Sequence, residues 1–402
     1  MDLRSTRDTN RLKVLEALHR RPGSSRLELA EHTRLSRPTV STLLDELERL
    51  GVVAPYELPG EAVGGAVAAR GAGRPPELLA IAPRAAFAVG ADIGHAHLRV
   101  AVCDLAGAIL AEDFAPAVVD HAPEATLDRV ASMVAGVLAR AGVAHGDVLG
   151  AGVALAAPVD RATGAVSAQG ILQGWDDTRP RDALAARLGG LPVTLENDAN
   201  LGALGERAFG VARGVEDMAY VRLSAGIGLG LILHGTPYRG ASGIAGELGH
   251  VPAVDDGPVC RCGKRGCLET VATPDAIARQ VSLARGAEVD VRGLLTLLAA
   301  GDPDAQAAVA EAGRAVGRAL AMLVNVLNPR LVVLGGELAQ TGDTLLGAVR
   351  ATLDHDAVAP SAAAVTVTAG TLGDRAEVLG AAGAVIEDAP AALAVRAARA
   401  MN

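Results

Sequence analysis

Phe87-Ala88-Val89-Gly90-Ala91-Asp92-Ile93-Gly94 runs as an apolar strand into a glycine turn, and Leu98-Arg99-Val100-Ala101-Val102-Cys103 carries the chain straight back. Asp104-Leu105-Ala106-Gly107 turns it once more. A related unit stands about 130 residues later, where Met218-Ala219-Tyr220-Val221-Arg222-Leu223 meets Ser224-Ala225-Gly226-Ile227-Gly228 and continues as Leu229-Gly230-Leu231-Ile232-Leu233. A strand, glycine turn and strand occurring twice predict a duplicated α/β architecture with a cleft between two lobes. Near the end, Ala312 to Leu327 reads as a helix feeding the fully buried strand Leu331-Val332-Val333-Leu334. That strand closes on Gly335-Gly336, the kind of edge at which α/β folds bind ligands. Cys103, on a buried strand, reads as a small core residue.

Upstream of residue 84 the texture is helical. Residues 10 to 20 place Leu12, Val14, Leu15 and Leu18 at near-helical spacing, and Pro22-Gly23 stops that element. A short second helix with Leu27, Leu29 and Ala30 follows the N-cap Ser25, and a third opens at Ser36. Pro38 falls in its first turn, where a missing N–H costs nothing, and Val40, Leu43, Leu44, Leu47 and Leu50 form the buried stripe up to Gly51. Val52 to Tyr56 and Leu78 to Ile81 then pair as a wing whose Gly/Ala-rich tip covers residues 59 to 76. This is the order of a winged helix-turn-helix, in which the third helix meets base edges with its N-terminal residues. Here those are Ser36, Arg37, Pro38, Thr39, Ser41 and Thr42; Arg37 can pair bidentately with guanine, and Arg74 at the wing tip suits a narrow minor groove. A helical dimerisation or protein-docking module would use the same helices with both arginines simply solvated.

Charge agrees with a nucleic-acid partner at the front only. Residues 1 to 42 carry 9 basic and 5 acidic side chains, against 28 basic and 41 acidic in the remainder. With 50% hydrophobic and 21% charged residues, the 402-residue chain is globular and holds more than one core. Three Phe, three Tyr and one Trp leave little for base stacking, so single-strand binding on aromatic platforms is excluded. Met1-Asp2-Leu3-Arg4 lacks the apolar run of a signal peptide and no later stretch has the length of a membrane span, which predicts a cytoplasmic protein.

Chemistry concentrates in two places. Glu247-Leu248-Gly249-His250 is followed by Cys260-Arg261-Cys262-Gly263-Lys264-Arg265-Gly266-Cys267-Leu268-Glu269. Three thiolates and an imidazole make a closed tetrahedral zinc site with no position for an activated water, so His250, Cys260, Cys262 and Cys267 predict a structural zinc. The competing reading is a reduced, metal-free loop. At Leu195-Glu196-Asn197-Asp198-Ala199-Asn200 an apolar strand ends in polar side chains. Asn197 and Asp198 there can hold vicinal hydroxyls, and Asp198 can remove a hydroxyl proton for phosphoryl transfer. An Asx turn capping the helix Leu201 to Ala208 would look the same in sequence.

With these residues assembled, the chain resembles the ROK family (repressors, open reading frames, kinases), in its winged-helix regulator branch, over nearly its whole length. The family's Glu-x-Gly-His and Cys-x-Cys-Gly-x-x-Gly-Cys-x-Glu elements stand complete from Glu247 to Glu269. The resemblance implies an actin-like, two-lobed sugar-kinase fold. It also implies zinc on His250, Cys260, Cys262 and Cys267, and sugar hydroxyls on Asn197, Asp198, Glu247, His250 and Glu269. One nitrogen of His250 would ligate zinc while the other faces the sugar, the metal fixing the tautomer. The expected division is a head at 1–83, a smaller lobe at 84–195 with 376–402, and a larger lobe at 196–375 carrying zinc and the sugar pocket.

The nucleotide motifs depart from those of ROK kinases. Asp-x-Gly-Gly-Thr reads Asp92-Ile93-Gly94-His95-Ala96 here, and Gly-Thr-Gly-x-Gly-x-Gly reads Ser224-Ala225-Gly226-Ile227-Gly228-Leu229-Gly230, so both phosphate-facing threonines are alanine. Each lost charge-assisted hydrogen bond costs roughly 1.5 to 3 kcal/mol of phosphate positioning. Asp198, the base of a kinase in this resemblance, remains, but it also serves sugar binding. The expectation is a non-catalytic, sugar-responsive transcriptional repressor with operator DNA and a sugar effector as partners, acting as a homodimer or homotetramer. Its rival is an ATP-dependent sugar kinase carrying a DNA-binding extension.

Overall fold

Ser5 accepts from the Asp8 N–H and so starts the first helix, α1 (Thr6–Arg20), earlier than its apolar spacing alone indicates. The computed structural model describes residues 5–56, 77–160, 163–166, 171–176 and 178–401. After the short strand β1 (Ser24–Ser25), helix α2 (Arg26–Thr33) opens on a reciprocal capping box between Ser25 and Glu28. The turn is made at Arg34, in left-handed backbone at φ 57°, and α3 (Arg37–Arg49) begins at its cap Ser36. Arg26 ties the two helices, donating to Asp45 and Glu48 at 2.8 Å each. Leu50 departs from the expected stripe: the helix ends one residue before it, and it lies 37% exposed. Strands β2 (Val53–Pro55) and β3 (Leu78–Ile81) pair antiparallel as the expected wing, and β1 adds to the far edge of β3.

The two body sheets repeat one topology. In the first, β4 (Phe87–Ile93), β5 (His97–Asp104) and β6 (Ile109–Pro116) form an antiparallel meander. The chain then passes through α4 (Pro123–Ala141) to β7 (Val148–Leu155), which lies parallel to β4, and through α5 (Pro180–Arg187) to β8 (Val193–Asn197), parallel to β7. Helix α6 (Asp198–Ala208) leads to the second sheet, whose meander is β9 (Met218–Leu223), β10 (Ile227–Leu233) and β11 (Thr236–Pro237). Helices α7 (Glu269–Ala272), α8 (Pro274–Arg285), α9 (Val291–Ala299) and α10 (Pro303–Leu327) precede β12 (Leu331–Gly335), which is parallel to β9. After α11 (Asp343–Asp356) and α12 (Ala359–Ala364), β13 (Thr366–Ala369) completes the sheet parallel to β12. The strand orders are β6-β5-β4-β7-β8 and β11-β10-β9-β12-β13, so the duplication read from two turns extends to all ten strands. Helix α10 starts well before Ala312 because the Asp302 side chain caps it, accepting from Ala305 N–H. The cores are aliphatic, with the single Trp175 fully buried and its indole N–H donating to Val119 O at 2.9 Å.

The last two helices join the parts. Helix α13 (Ala376–Glu387) lies against β4, β7 and α6, and Gly152 and Gly380 allow the contact: a Cβ on either would strike the backbone of Ala381 or Leu201. Helix α14 (Ala389–Ala400) follows after one residue and places Ala389, Leu393, Ala394 and Ala397 in one cluster with Val14, Leu15 and Leu18 of α1. Its Arg396 donates to the carbonyls of Asp147 and Val148 in the first lobe. The head therefore shares its core with the chain's C-terminal helix. Among the described residues no single helix is long and apolar enough to cross a membrane; the bent pair of α13 and α14 has the composition, and both helices are packed into protein cores.

Candidate functional site

The segment after β11 brings His250, Cys260, Cys262 and Cys267 together, with one donor atom of each within 4.8 Å of the others. Gly263 and Gly266 take positive φ, 85° and 67°, and the chain doubles back through antiparallel bridges between Val259 and Arg265 and between Pro252 and Cys267. A tetrahedral ion with metal–sulfur near 2.3 Å and metal–nitrogen near 2.0 Å separates two sulfurs by about 3.8 Å and sulfur from nitrogen by about 3.5 Å. Cys262 and Cys267 Sγ lie 3.7 Å apart, and Cys260 Sγ lies 3.4 Å from His250 Nδ1. These two spacings match such an ion, and all four donor atoms lie within 4.8 Å of one another, so the donor set suits a metal ion after at most a small closure. His250 turns its other nitrogen, Nε2, to Glu247 at 3.6 Å, so the ring links the cluster to the cleft.

The cleft floor is the end of β8 and the start of α6. Asn197 caps that helix, its Oδ1 accepting from Asn200 N–H at 3.2 Å, so the Asx-turn reading describes part of its role. Its helix starts at Asp198, earlier than the sequence pattern suggested. Glu196 holds this corner from beneath, accepting from Asn197 N–H and Asn200 Nδ2 and pairing with Arg239. A small cavity of about 50 Å³ is lined by Asn197, Asp198, Glu247, His250 and Glu269, the five residues expected to hold a sugar, together with His95, Arg222 and Arg261. Burial, helped by the charges of Asp198 and Glu269, pushes Glu247 up to about 7. The chemistry on offer is a row of hydroxyl-accepting carboxylates.

Arg222, His97 and Glu377 were not singled out from the sequence, and they occupy the centre of the site. Asp198 accepts from Ala199 N–H at 2.7 Å with one oxygen and pairs with Arg222 Nη1 at 3.1 Å with the other. The same guanidinium reaches Glu377 at 3.1 Å, and Glu377 also accepts from the Tyr220 hydroxyl at 2.9 Å. Burial pushes Glu377 up to about 7 against the pull of Arg222. Beside them the first glycine turn is filled by the chain itself: a Cβ on Gly94 would meet the His97 ring, whose Nε2 lies 2.8 Å from Asp92 Oδ2. His95, which stands where the Asp-x-Gly-Gly-Thr pattern has its second glycine, does not fill the turn but faces the smaller cavity, its ring lying across the cleft beside Arg261. A larger cavity of about 880 Å³ remains on the other side of the turn, between Asp92, Ala96, His97 and Arg99 of one lobe and Arg222, Ser224, Leu298 and Gln340 of the other.

In the head, Ser36, Arg37, Pro38 and Thr42 are exposed and Thr39 and Ser41 half-buried, all within the first turns of α3. Ser36 Oγ is committed to the cap and to the Thr39 hydroxyl at 2.7 Å, and Thr42 donates back to Pro38 O at 2.9 Å. Arg37 is exposed at the start of α3, and Arg34 is exposed in the turn before it. Arg74 and the wing tip lie outside the described residues.

Known proteins match both parts. Residues 88–388 match the ROK family, and residues 7–54 match the winged helix-turn-helix DNA-binding family. A xylose repressor of Bacillus subtilis (strain 168) is 27% identical over 379 residues, covering 94% of this chain and 95% of that protein. A glucokinase of Thermotoga maritima is 32% identical over 314 residues, covering 74% of this chain and 97% of the enzyme. Among solved structures, a ROK family transcriptional regulator described as a homologue of the E. coli MLC protein superposes with a TM-score of 0.77 at 23% identity, covering 97% of this chain and 99% of its own. A ROK family glucokinase from Streptomyces griseus in complex with glucose and AMPPNP gives 0.65 at 28% identity over 74% of this chain and 98% of its own.

Proposed function

Given that this chain belongs to the ROK family, we propose that it is a sugar-responsive, DNA-binding transcriptional repressor whose cleft binds a sugar or sugar derivative as effector. The observation that carries this reading is the direct succession of α13 and α14: Glu377 lies in the first turn of α13 at the cleft, and α14, bent 47° from it, lies inside the core of the head. The xylose repressor matches head and body together, while the glucokinase match covers only about three quarters of this chain. Arg37, with Ser36, Pro38, Thr39, Ser41, Thr42 and Arg74, is assigned to operator contact. Asn197, Asp198, Glu247, His250 and Glu269 are assigned to sugar hydroxyls.

The ion held by His250, Cys260, Cys262 and Cys267 is read as structural zinc, which suits a three-thiolate, one-imidazole set without an open position. Bound zinc supplies a fixed tautomer and orientation for His250, so that Nε2 with Glu247 faces the sugar. The chain is read as non-catalytic and cytoplasmic. Asp198 accepts from Ala199 N–H and pairs with Arg222, and the remaining lone pair on each oxygen can accept from a sugar hydroxyl. Pairing of half-sites in helix-turn-helix recognition supports action as a homodimer, with a homotetramer built from such dimers as the alternative.

Two measurements test the assignment. With duplexes selected from genomic fragments, fluorescence anisotropy of the full chain is expected to show binding that weakens steeply with salt. The right sugar then shifts operator affinity tenfold or more, equivalent to about 1.4 kcal/mol of differential binding. A head that ignores every duplex at low salt removes the repressor reading. Coupled ADP release over a hexose panel is expected to stay at background; turnover of about 1 to 100 per second would make the chain a kinase with a DNA-binding extension.

A further inference from the structure

Arg261 sits between the metal-site donors Cys260 and Cys262, and its side chain leaves that turn to cross the mouth of the smaller cavity. Nη1 donates to Ile171 O at 3.1 Å and lies 3.2 Å from His95 Nδ1, while Nε lies 3.6 Å from Glu269 Oε1. His95 and Ile171 belong to the lobe of β4, and Arg261 and Glu269 to the lobe of β9. The pair therefore spans the cleft directly over the carboxylates assigned to sugar. On its far side His95 faces Gly226, at the second glycine turn. Burial and the Arg261 charge pull His95 down to about 4, so at neutral pH the ring is uncharged and offers an acceptor nitrogen.

The space beneath this pair is about 50 Å³. Pockets that take small molecules start near 300 Å³, so a sugar seated on the five residues cannot avoid Arg261 and His95, which line the same space. Its hydroxyls are placed to pair with the guanidinium and the imidazole in place of their mutual contact. Arg261 cannot retreat far, because the residues on either side of it are held at the metal cluster.

We infer that Arg261 and His95 are specificity-determining contacts of the effector site, donating to and accepting from hydroxyls at the end of the sugar that faces the β4–β5 turn. The inference rests on the sugar reading of the cleft and adds to it two residues, one on each lobe. It gives the glycine-to-histidine departure at position 95 a use: a lobe-to-lobe contact that a ligand must replace.

The test is calorimetric titration of the full, zinc-loaded chain with the best-binding monosaccharide of a panel and with each of its monodeoxy analogues. The unsubstituted protein is expected to lose roughly 10- to 100-fold in affinity for one analogue, the range of a hydrogen bond to a charged group. Arg261→Ala and His95→Ala are each expected to weaken the parent sugar by a similar factor while binding that analogue as the unsubstituted protein does, so that the discrimination collapses. Metal analysis of Arg261→Ala guards against a disturbed cluster, and His95→Ala lies on the other lobe, away from it. Equal weakening of every analogue, or retained discrimination in both variants, overturns the inference while leaving the sugar reading intact. Failure of any monosaccharide to bind the unsubstituted protein overturns both.

Discussion

Cys267→Ser is expected to lose the metal and, with it, the response of operator binding to sugar. Serine oxygen is a poor substitute for a thiolate that must lie about 2.3 Å from zinc, and Cys267 is a buried donor of the cluster. Structural zinc in small motifs contributes on the order of 10 kcal/mol to local folding, so the segment from Leu248 to Leu268 should loosen when one donor fails. His250 is itself a donor of the cluster, Glu247 stands just before it, and Glu269 follows Cys267 by two residues; all three lose their fixed positions together. Among the described residues, the core cluster of the head contains none of this segment. Operator binding without sugar should therefore survive, with the sugar-induced shift falling from tenfold or more to none. Metal analysis and anisotropy titrations on the same preparation check both halves. A zinc-free variant that still answers sugar normally would show that the metal does not organise the effector site.

Leu393→Ala is expected to disable the head from the opposite end of the chain. Leu393 is 1% exposed and shares its cluster with Val14, Leu15 and Leu18 of α1. Removing such a side chain typically costs about 2 to 5 kcal/mol, a large share of what a small helical head can have in reserve. Calorimetric unfolding should split, the head melting earlier than the body, and operator binding should weaken at temperatures where sugar binding is unchanged. A single undisturbed transition with normal operator affinity would mean that α14 only leans on the head and cannot carry a signal into it.

Legibility in the sequence followed the range of the interactions involved. Caps at Ser25 and Ser36 and the metal donors at Cys260 and Cys262 act over a few residues, so the helix-turn-helix and the cluster could be read directly. The repeated glycine turns revealed two lobes because each unit is complete in itself. Arg222 was passed over because a lone arginine in an apolar strand looks like a solvated edge, and its partner Glu377 lies 155 residues away. Likewise nothing local links Leu393 to α1. At the first turn the sequence showed an imidazole at position 95 where glycine is usual, but not which imidazole fills the turn. His97 does so because the return of β5 aims it at Asp92, and His95 is left to cross toward Arg261.

If the cleft and the head are two ends of one equilibrium, coupling must be reciprocal. The most direct test is the sugar's dissociation constant measured twice on the full chain, alone and saturated with its operator duplex. The two values should differ by the same factor, tenfold or more, by which sugar shifts operator affinity. Identical sugar affinities in the presence and absence of operator would contradict the account.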